Sequence, residues 1–389
     1  MVGGSLGGLN AALWLADAGC DVRVLERSRS PLEGRGAGIV LHPATLRYFT
    51  EHRLLDLDRI SAPARSVRYL GRDGSVAHES PCRYRFTSFN TLYRGLLDRL
   101  GPDRYHLGAE VVGIEQDASG VRVQRADGAT VSGALAVAAD GVGSTARRLL
   151  APGAGPRYAG YVGWRGTVEE TELDRGTFAA LAPVITYHVM EASHILAYPI
   201  PARDRTRGSG RCINWVWYRN VPEGAAFDDV MTDRHGVRQA VSVSPGAVQD
   251  GHVDELRAAS ADLPPPLAEM VGVTGRPFIQ AVVDVEVERM AIGRIALLGD
   301  AAFSLRPHAA VGTAKAAEDA WRLARALQAC NGDVVEALRC WEPGQLALGR
   351  QVLARTREAG NRSQFEGTWR VGDPLPFGLY EVGDSAITL

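Results

Sequence analysis

The sequence predicts an α/β protein: a parallel-sheet domain interrupted by a lobe on an antiparallel sheet and followed by C-terminal helices. Three observations predict it. Short apolar runs at 135–138 and 295–298 read as strands buried on both faces, the habit of parallel sheets, and Val22-Arg23-Val24-Leu25 reads as a further strand. Each of the three ends at an acidic or glycine tip: Glu26, Asp140-Gly141 and Gly299-Asp300. Between the two apolar runs the texture changes to long alternating aromatic segments, the pattern of antiparallel strands.

Length and charge bound the rest. A chain of 389 residues, 46% apolar, can bury a large core and has room for two domains or one with an inserted lobe. A net charge of −2 favours neither nucleic acid nor an anionic membrane surface. Of 43 basic residues Lys315 is the only lysine, so no single arginine is read as functional from abundance alone. Cys20, Cys82, Cys212, Cys330 and Cys340 are scattered without a C-x-x-C pair. That suits a reduced, cytoplasmic protein and argues against a disulfide framework or a zinc site, so no metal is expected. No apolar run approaches the ~18 residues of a membrane span.

Residues 3–8, Gly-Gly-Ser-Leu-Gly-Gly, read as G-x-G-x-x-G with Ser5 in the second glycine's place. A helix follows over 9–18, Gly19 closes it, and the strand 22–25 ends in Glu26 and Arg27. A strand-to-helix glycine turn with an acid about 20 residues on is a dinucleotide-binding arrangement, the acid taking ribose hydroxyls. Gly3, Ser5, Leu6, Gly8, Glu26 and Arg27 are the expected contacts. Only Met1 and Val2 stand where a strand of ~5 residues belongs, which predicts a native N-terminus further upstream. Without that strand, neighbouring ladder groups would go unmet at ~1–3 kcal/mol each.

In the loop 31–43, Arg35 is either a pyrophosphate cation or a solvated arginine. Asp73-Gly74 marks a hairpin between 66–70 and 75–79. The stretch 91–100 is an amphipathic helix, and 109–131 is a three-stranded meander turning at 118–120 and 126–128. Asp140-Gly141-Val142-Gly143-Ser144-Thr145-Ala146-Arg147 then spells D-G-x-x-S-x-x-R, with Ser144 capping a helix.

The segments 184–190, 194–200 and 211–218 read as long strands. Alternation groups His194, Leu196 and Tyr198 on one face, and separates Trp215 and Trp217 from Asn214, Val216 and Tyr218. His194, Tyr198, Trp215 and Trp217 are the candidate substrate contacts, with the inner face left open. The region 228–267 is irregular, with a helix over 248–259, and 278–287 is a returning strand. Beyond the tip at Asp300, Pro307 and His308 precede a run of small residues through Ala320. Helices follow over 316–327 and 334–353, then an irregular tail from 361 without functional signal.

The glycine turn, Glu26, residues 140–147 and Gly299-Asp300-Ala301-Ala302 together resemble the flavoprotein aromatic hydroxylases of the para-hydroxybenzoate hydroxylase type. Phe303, Ala309 and Ala314 depart from that branch, and the Gly-Gly-Ser opening is similar to its dihydroxypyridine hydroxylase branch. The resemblance implies an FAD-binding, Rossmann-like domain of the glutathione reductase type over 1–65, 84–155 and 277–360. It implies a substrate lobe over 66–83 and 156–276, and a tail over 361–389. It further implies that Asp140, Arg147, Asp300 and Gly312 hold FAD, and that NADH or NADPH acts as transient reductant. A C4a-hydroperoxyflavin would then hydroxylate a small phenolic or hydroxypyridine ring with O2, in a monomer or homodimer. Pro307 would pack at the reactive flavin edge. His308, poised near neutral pH, would either deprotonate a ring hydroxyl or serve as a hydrogen-bonding wall. A flavin-dependent halogenase, echoed by Trp215-Val216-Trp217, and a non-catalytic FAD- or ligand-binding protein are the alternatives.

Overall fold

The computed structural model describes residues 1–34, 38–54, 56–202 and 210–387. Its parallel sheet is built from Tyr105–His106, Val24–Leu25, Ala136–Ala138 and Ile295–Leu297. Met1 to Gly3 fill the central slot. Val2 bridges Leu25 on one side and Ala138 on the other, and its N–H and C=O bond Val137 and the N–H of Ala139 at 2.8 Å each. Val2 thereby meets the ladder groups of Val137 and Ala139 beside it. The meander sits beside this sheet as Val111–Gln116, Val121–Arg125 and Thr130–Gly133.

Two helices cover the glycine turns. Leu6–Asp17 packs against Gly312–Ala329, and small residues let them approach. A methyl group on Gly7 would come 3.2 Å from the Ala316 Cβ, and one on Gly299 would come 3.0 Å from it. The small-residue run beyond Pro307 thus lets a helix sit directly on the strand tip at Gly299 and on the first helix at Gly7.

A second, ten-stranded sheet carries the rest. Its main path runs Ser242–Val243, Phe278–Glu286, Arg157–Glu169, Arg211–Asn220, Ser193–Pro201, Val184–Met190, Ala62–Leu70, Val76–Ser88 and Gly38–Val40. All pairs on that path are antiparallel except Val184–Met190 with Ala62–Leu70. Alternation gives this sheet two different faces. Trp164, Ile195, Ile213, Trp215 and Trp217 share a core with helix residues such as Phe178, Leu256 and Met270. The opposite face presents Tyr161, Tyr187, Leu196, Tyr198, Val216 and Tyr218.

The last helix, Val334–Gln364, runs past the expected end at 353. The tail then folds back, so that Trp369, Leu375 and Phe377 join the tyrosine-bearing face. Among the described residues, no helix is long and apolar enough to cross a membrane.

Candidate active site

A cleft of about 460 Å³ runs between the strand tips and the tyrosine-bearing face. Ser5, Leu6, Gly7, Gly141 and Leu298–Asp300 line one end. Arg165, Tyr187, His194, Tyr198, Tyr218, Trp369 and Phe377 line the other, and residues 304–308 and 310–313 join the two.

At the tip end, backbone geometry does most of the positioning. Gly3 has φ +92, and a side chain there would run into the Ala139 carbonyl; one on Gly8 would run into the Gly3 carbonyl. Only glycine holds this turn. Glu26 is buried, accepting hydrogen bonds from the N–H groups of Gly4 at 2.9 Å and Ser28 at 2.8 Å. It braces the glycine turn and does not line the cleft. Arg27 is exposed, and Arg35 lies outside the described residues.

Asp140 also works behind the wall. Its carboxylate accepts from the Ser144 hydroxyl and the N–H groups of Thr145 at 2.7 Å and Ala146 at 3.2 Å, capping Thr145–Leu150. Ser144 caps the same helix through the Arg147 N–H at 2.9 Å. The Arg147 guanidinium donates to the Val142 carbonyl and, at 3.0 Å, to the Ala301 carbonyl. It thereby pins one tip to the next, and burial lowers its pKa.

Asp300 faces the cleft itself. It is reached by solvent yet recessed among protein atoms, and lost hydration pushes its carboxyl up to about 6 against the opposing pull of Arg147. Behind it, the Gly299 N–H donates to Asp319 at 3.1 Å, and buried Lys315 pairs with the same carboxylate.

This end fits FAD. The helices beginning at Leu6 and Gly312 both open on the cleft without a side-chain cap, so their free N–H groups and positive dipole ends suit a pyrophosphate and an electron-rich ring edge. Open space lies where a Gly312 side chain would be. Asp300 supplies an acceptor for a polyol. Among the described residues, no cluster of three or more His, Cys, Asp or Glu could hold a metal.

At the other end, His308 is buried in the tight turn Pro307–Ala309, with Ala310 in the left-handed region at φ 56. Its Nε2 lies 2.7 Å from the Tyr161 hydroxyl. Arg306, beside the same hydroxyl, can only donate, so the Tyr161 proton points to His308 Nε2. Nδ1 then carries the ring proton and has no partner among the described residues. Burial, with His194 and Arg306 nearby, holds His308 well below the usual histidine range. It is therefore a neutral donor, and the expectation of a histidine poised near neutral pH is corrected by its burial. His194 meets the Ser363 hydroxyl through Nδ1 and is pushed down to about 3 by burial.

Tyr198 stacks on Phe86 and donates to the Gly38 carbonyl at 3.0 Å. Trp215 and Trp217 are corrected as substrate contacts. The pleat turns both indoles away from the cleft, where they donate to Thr274 and Ser193 respectively at 3.0 Å each. Sequence reasoning missed Tyr161, Arg165, Tyr187, Tyr218, Trp369 and Phe377. Cross-strand register gives Tyr218 and Arg165 once one cleft residue is known: His194 pairs with Tyr218, and Leu196 with Val216, which pairs with Arg165. The tail residues carry no such signal.

Comparison with known proteins places these features in a family. Residues 158–284 match the family model described as FAD binding domain-like. The chain is 38% identical over 393 residues to 2,6-dihydroxypyridine 3-monooxygenase of Paenarthrobacter nicotinovorans, covering 100% of this chain and 97% of that protein. The solved structure of 2,6-dihydroxypyridine-3-hydroxylase from Arthrobacter nicotinovorans superposes with a TM-score of 0.93, at 38% identity, covering 98% and 96% of the two chains. Klebsiella pneumoniae HpxO, solved with FAD and uric acid, superposes at a TM-score of 0.78 with 26% identity over 94% of this chain and 88% of that one. The chain belongs to the FAD-dependent aromatic hydroxylases, monooxygenases that place one atom of O2 on a hydroxylated ring.

Proposed function

We propose that this chain hydroxylates a hydroxylated pyridine, with a phenol as the next substrate class, at a ring carbon turned toward Pro307 and Gly312. The observation that carries the reading is the single cleft joining a dinucleotide-sized end to a chamber walled by Tyr187, Tyr218 and Trp369 around an unpartnered His308 nitrogen. The relative at 38% identity, named for 2,6-dihydroxypyridine, supports the pyridine choice.

Bound FAD, reduced by NADH or NADPH, supplies the activated oxygen. Ser5, Leu6 and Gly7, at the first helix's N-terminus, would hold the pyrophosphate, and Asp300 would accept from the ribityl hydroxyls. The helix beginning at Gly312 would offer its positive end to the flavin, with Pro307 in the same wall. His308 donates its Nδ1 proton to a ring oxygen, orienting the substrate and stabilising charge there. Tyr187, Tyr218, Trp369 and Phe377 keep water from the reacting atoms. A cytoplasmic location, as monomer or homodimer, completes the reading; the free cysteines support the location.

The test is purified FAD-loaded protein given NADH or NADPH, 2,6-dihydroxypyridine and isotopically labelled O2. Faster NAD(P)H oxidation and a product carrying one labelled oxygen are expected. No acceleration by any hydroxypyridine or phenol would overturn the reading.

A further inference from the structure

Attack on an activated oxygen needs an electron-rich ring, and a hydroxylated pyridine is most electron-rich once ionised. We propose that Arg165 selects the ionised ring by gripping its anionic oxygen on the edge opposite His308, with the ring lying over Gly163. The inference rests on the functional reading above and names the form of substrate that the cleft accepts.

The cleft's charge inventory carries the argument. Apart from its histidines, the charged side chains lining it among the described residues are Arg165, Asp300 and Arg306. Arg306 is engaged, donating to both Asp284 oxygens at 2.9 and 3.1 Å and to Asn361 at 2.9 Å. Asp300 stands at the cofactor end. Arg165 is half-buried, makes no hydrogen bond or ion pair among the described residues, and its Nε is buried without a partner. A guanidinium withdrawn from water without a counter-charge is costly unless a ligand brings one, and its planar fork matches an oxygen in the plane of a ring.

Placement gives the rest. Tyr161, Gly163 and Arg165 share the cleft face of one strand, which puts the first and last roughly 13 Å apart along the backbone. Tyr161 holds His308 at one end of this interval. Gly163, lacking a side chain, leaves the middle free, and its cross-strand partner is Tyr218. A flat six-membered ring seated there meets the His308 Nδ1–H at one edge and the Arg165 guanidinium at the other. The class selected is a planar heteroaromatic with oxygens on two separate edges, one of them ionised. Because His308 presents a proton rather than a lone pair, the ring arrives already ionised and needs no protein base.

The test titrates oxidised, FAD-loaded wild type, Arg165→Met, Arg165→Gln and Arg165→Lys with 2,6-dihydroxypyridine, following flavin absorbance across pH without NAD(P)H. Wild-type affinity should rise as pH passes the free compound's own ionisation. Above that pH, Arg165→Met and Arg165→Gln should weaken binding roughly 10- to 100-fold, the span expected for a charged hydrogen bond, and lose the pH dependence. Arg165→Lys should fall between. Wild-type affinity in Arg165→Gln at every pH would overturn the proposal. So would unchanged affinity with a shifted flavin reduction potential, which would assign Arg165 to the cofactor. If wild type responds to no hydroxypyridine at all, the functional reading fails first.

Discussion

Removing the Tyr161 hydroxyl separates two accounts of His308. In Tyr161→Phe the buried 2.7 Å contact to His308 Nε2 is lost, leaving a buried nitrogen without its partner. The fold should lose about 1–2 kcal/mol, the usual cost of stranding one buried polar group. Ligand binding should barely notice. Freed of Tyr161, the imidazole can carry its proton on either nitrogen. Selecting the Nδ1–H form then costs about 0.4–1 kcal/mol, roughly a factor of two to five in affinity. Thermal melts, the dissociation constant of 2,6-dihydroxypyridine on oxidised holoenzyme, and single-turnover hydroxylation rates read all three quantities. A hundredfold fall in the hydroxylation rate, with ligand and FAD binding intact, would refute the donor role. It would mean that a proton leaves the ring through His308 to Tyr161.

Four further outcomes follow from the same geometry. Asp300→Asn should weaken FAD binding at least about tenfold. Because hydration lost among the surrounding protein atoms raises this carboxyl from 3.8 to about 6, its contribution to stability is full below 3.8 and lost as pH rises to about 6. That loss should vanish from apoprotein melts of the variant. His194 is pushed down from 6.5 to about 3, so its contribution is full above pH 6.5 and drains away as pH falls toward 3; His194→Asn should flatten that acid slope in denaturation curves. Gly163→Val should keep the flavin spectrum yet weaken 2,6-dihydroxypyridine binding at least about tenfold, since even its Cβ would come 3.3 Å from both Val216 and Tyr218. Trp217→Phe should leave that affinity within about twofold, because the indole lies on the far face of the sheet.

The parallel-sheet tips were legible because their determinants are local. A glycine that must hold φ +92 beside another strand, or an aspartate that caps the helix just after it, advertises itself within a few residues. The role of such a residue was less legible than its presence. Glu26 and Asp140 both fall at their expected tips, yet spend their carboxylates on backbone N–H groups. The tryptophans misled for a different reason. Alternation separates a strand's two faces but does not say which is covered, and here Arg175–Leu181, Asp250–Ser260 and Pro265–Val273 supply the helical packing around the tryptophan face. Arg165 was hidden among 42 arginines, and what distinguishes it is a place in the cleft wall combined with the lack of a partner among the described residues. Trp369 and Phe377 arrive from an aperiodic tail whose path is set by long-range packing. The depressed His308 has the same origin, since its surroundings come from strands and a tail distant in sequence.

The central claim, that one cleft seats the flavin ring against Pro307 and Gly312 and the substrate ring over Gly163, is tested most directly by a crystal structure of the FAD-loaded protein with 2,6-dihydroxypyridine. The account predicts a flat ring between His308 Nδ1 and the Arg165 guanidinium, facing the isoalloxazine edge. A ring bound on the Trp215 face, or a flavin lying away from the Gly312 helix, would contradict it.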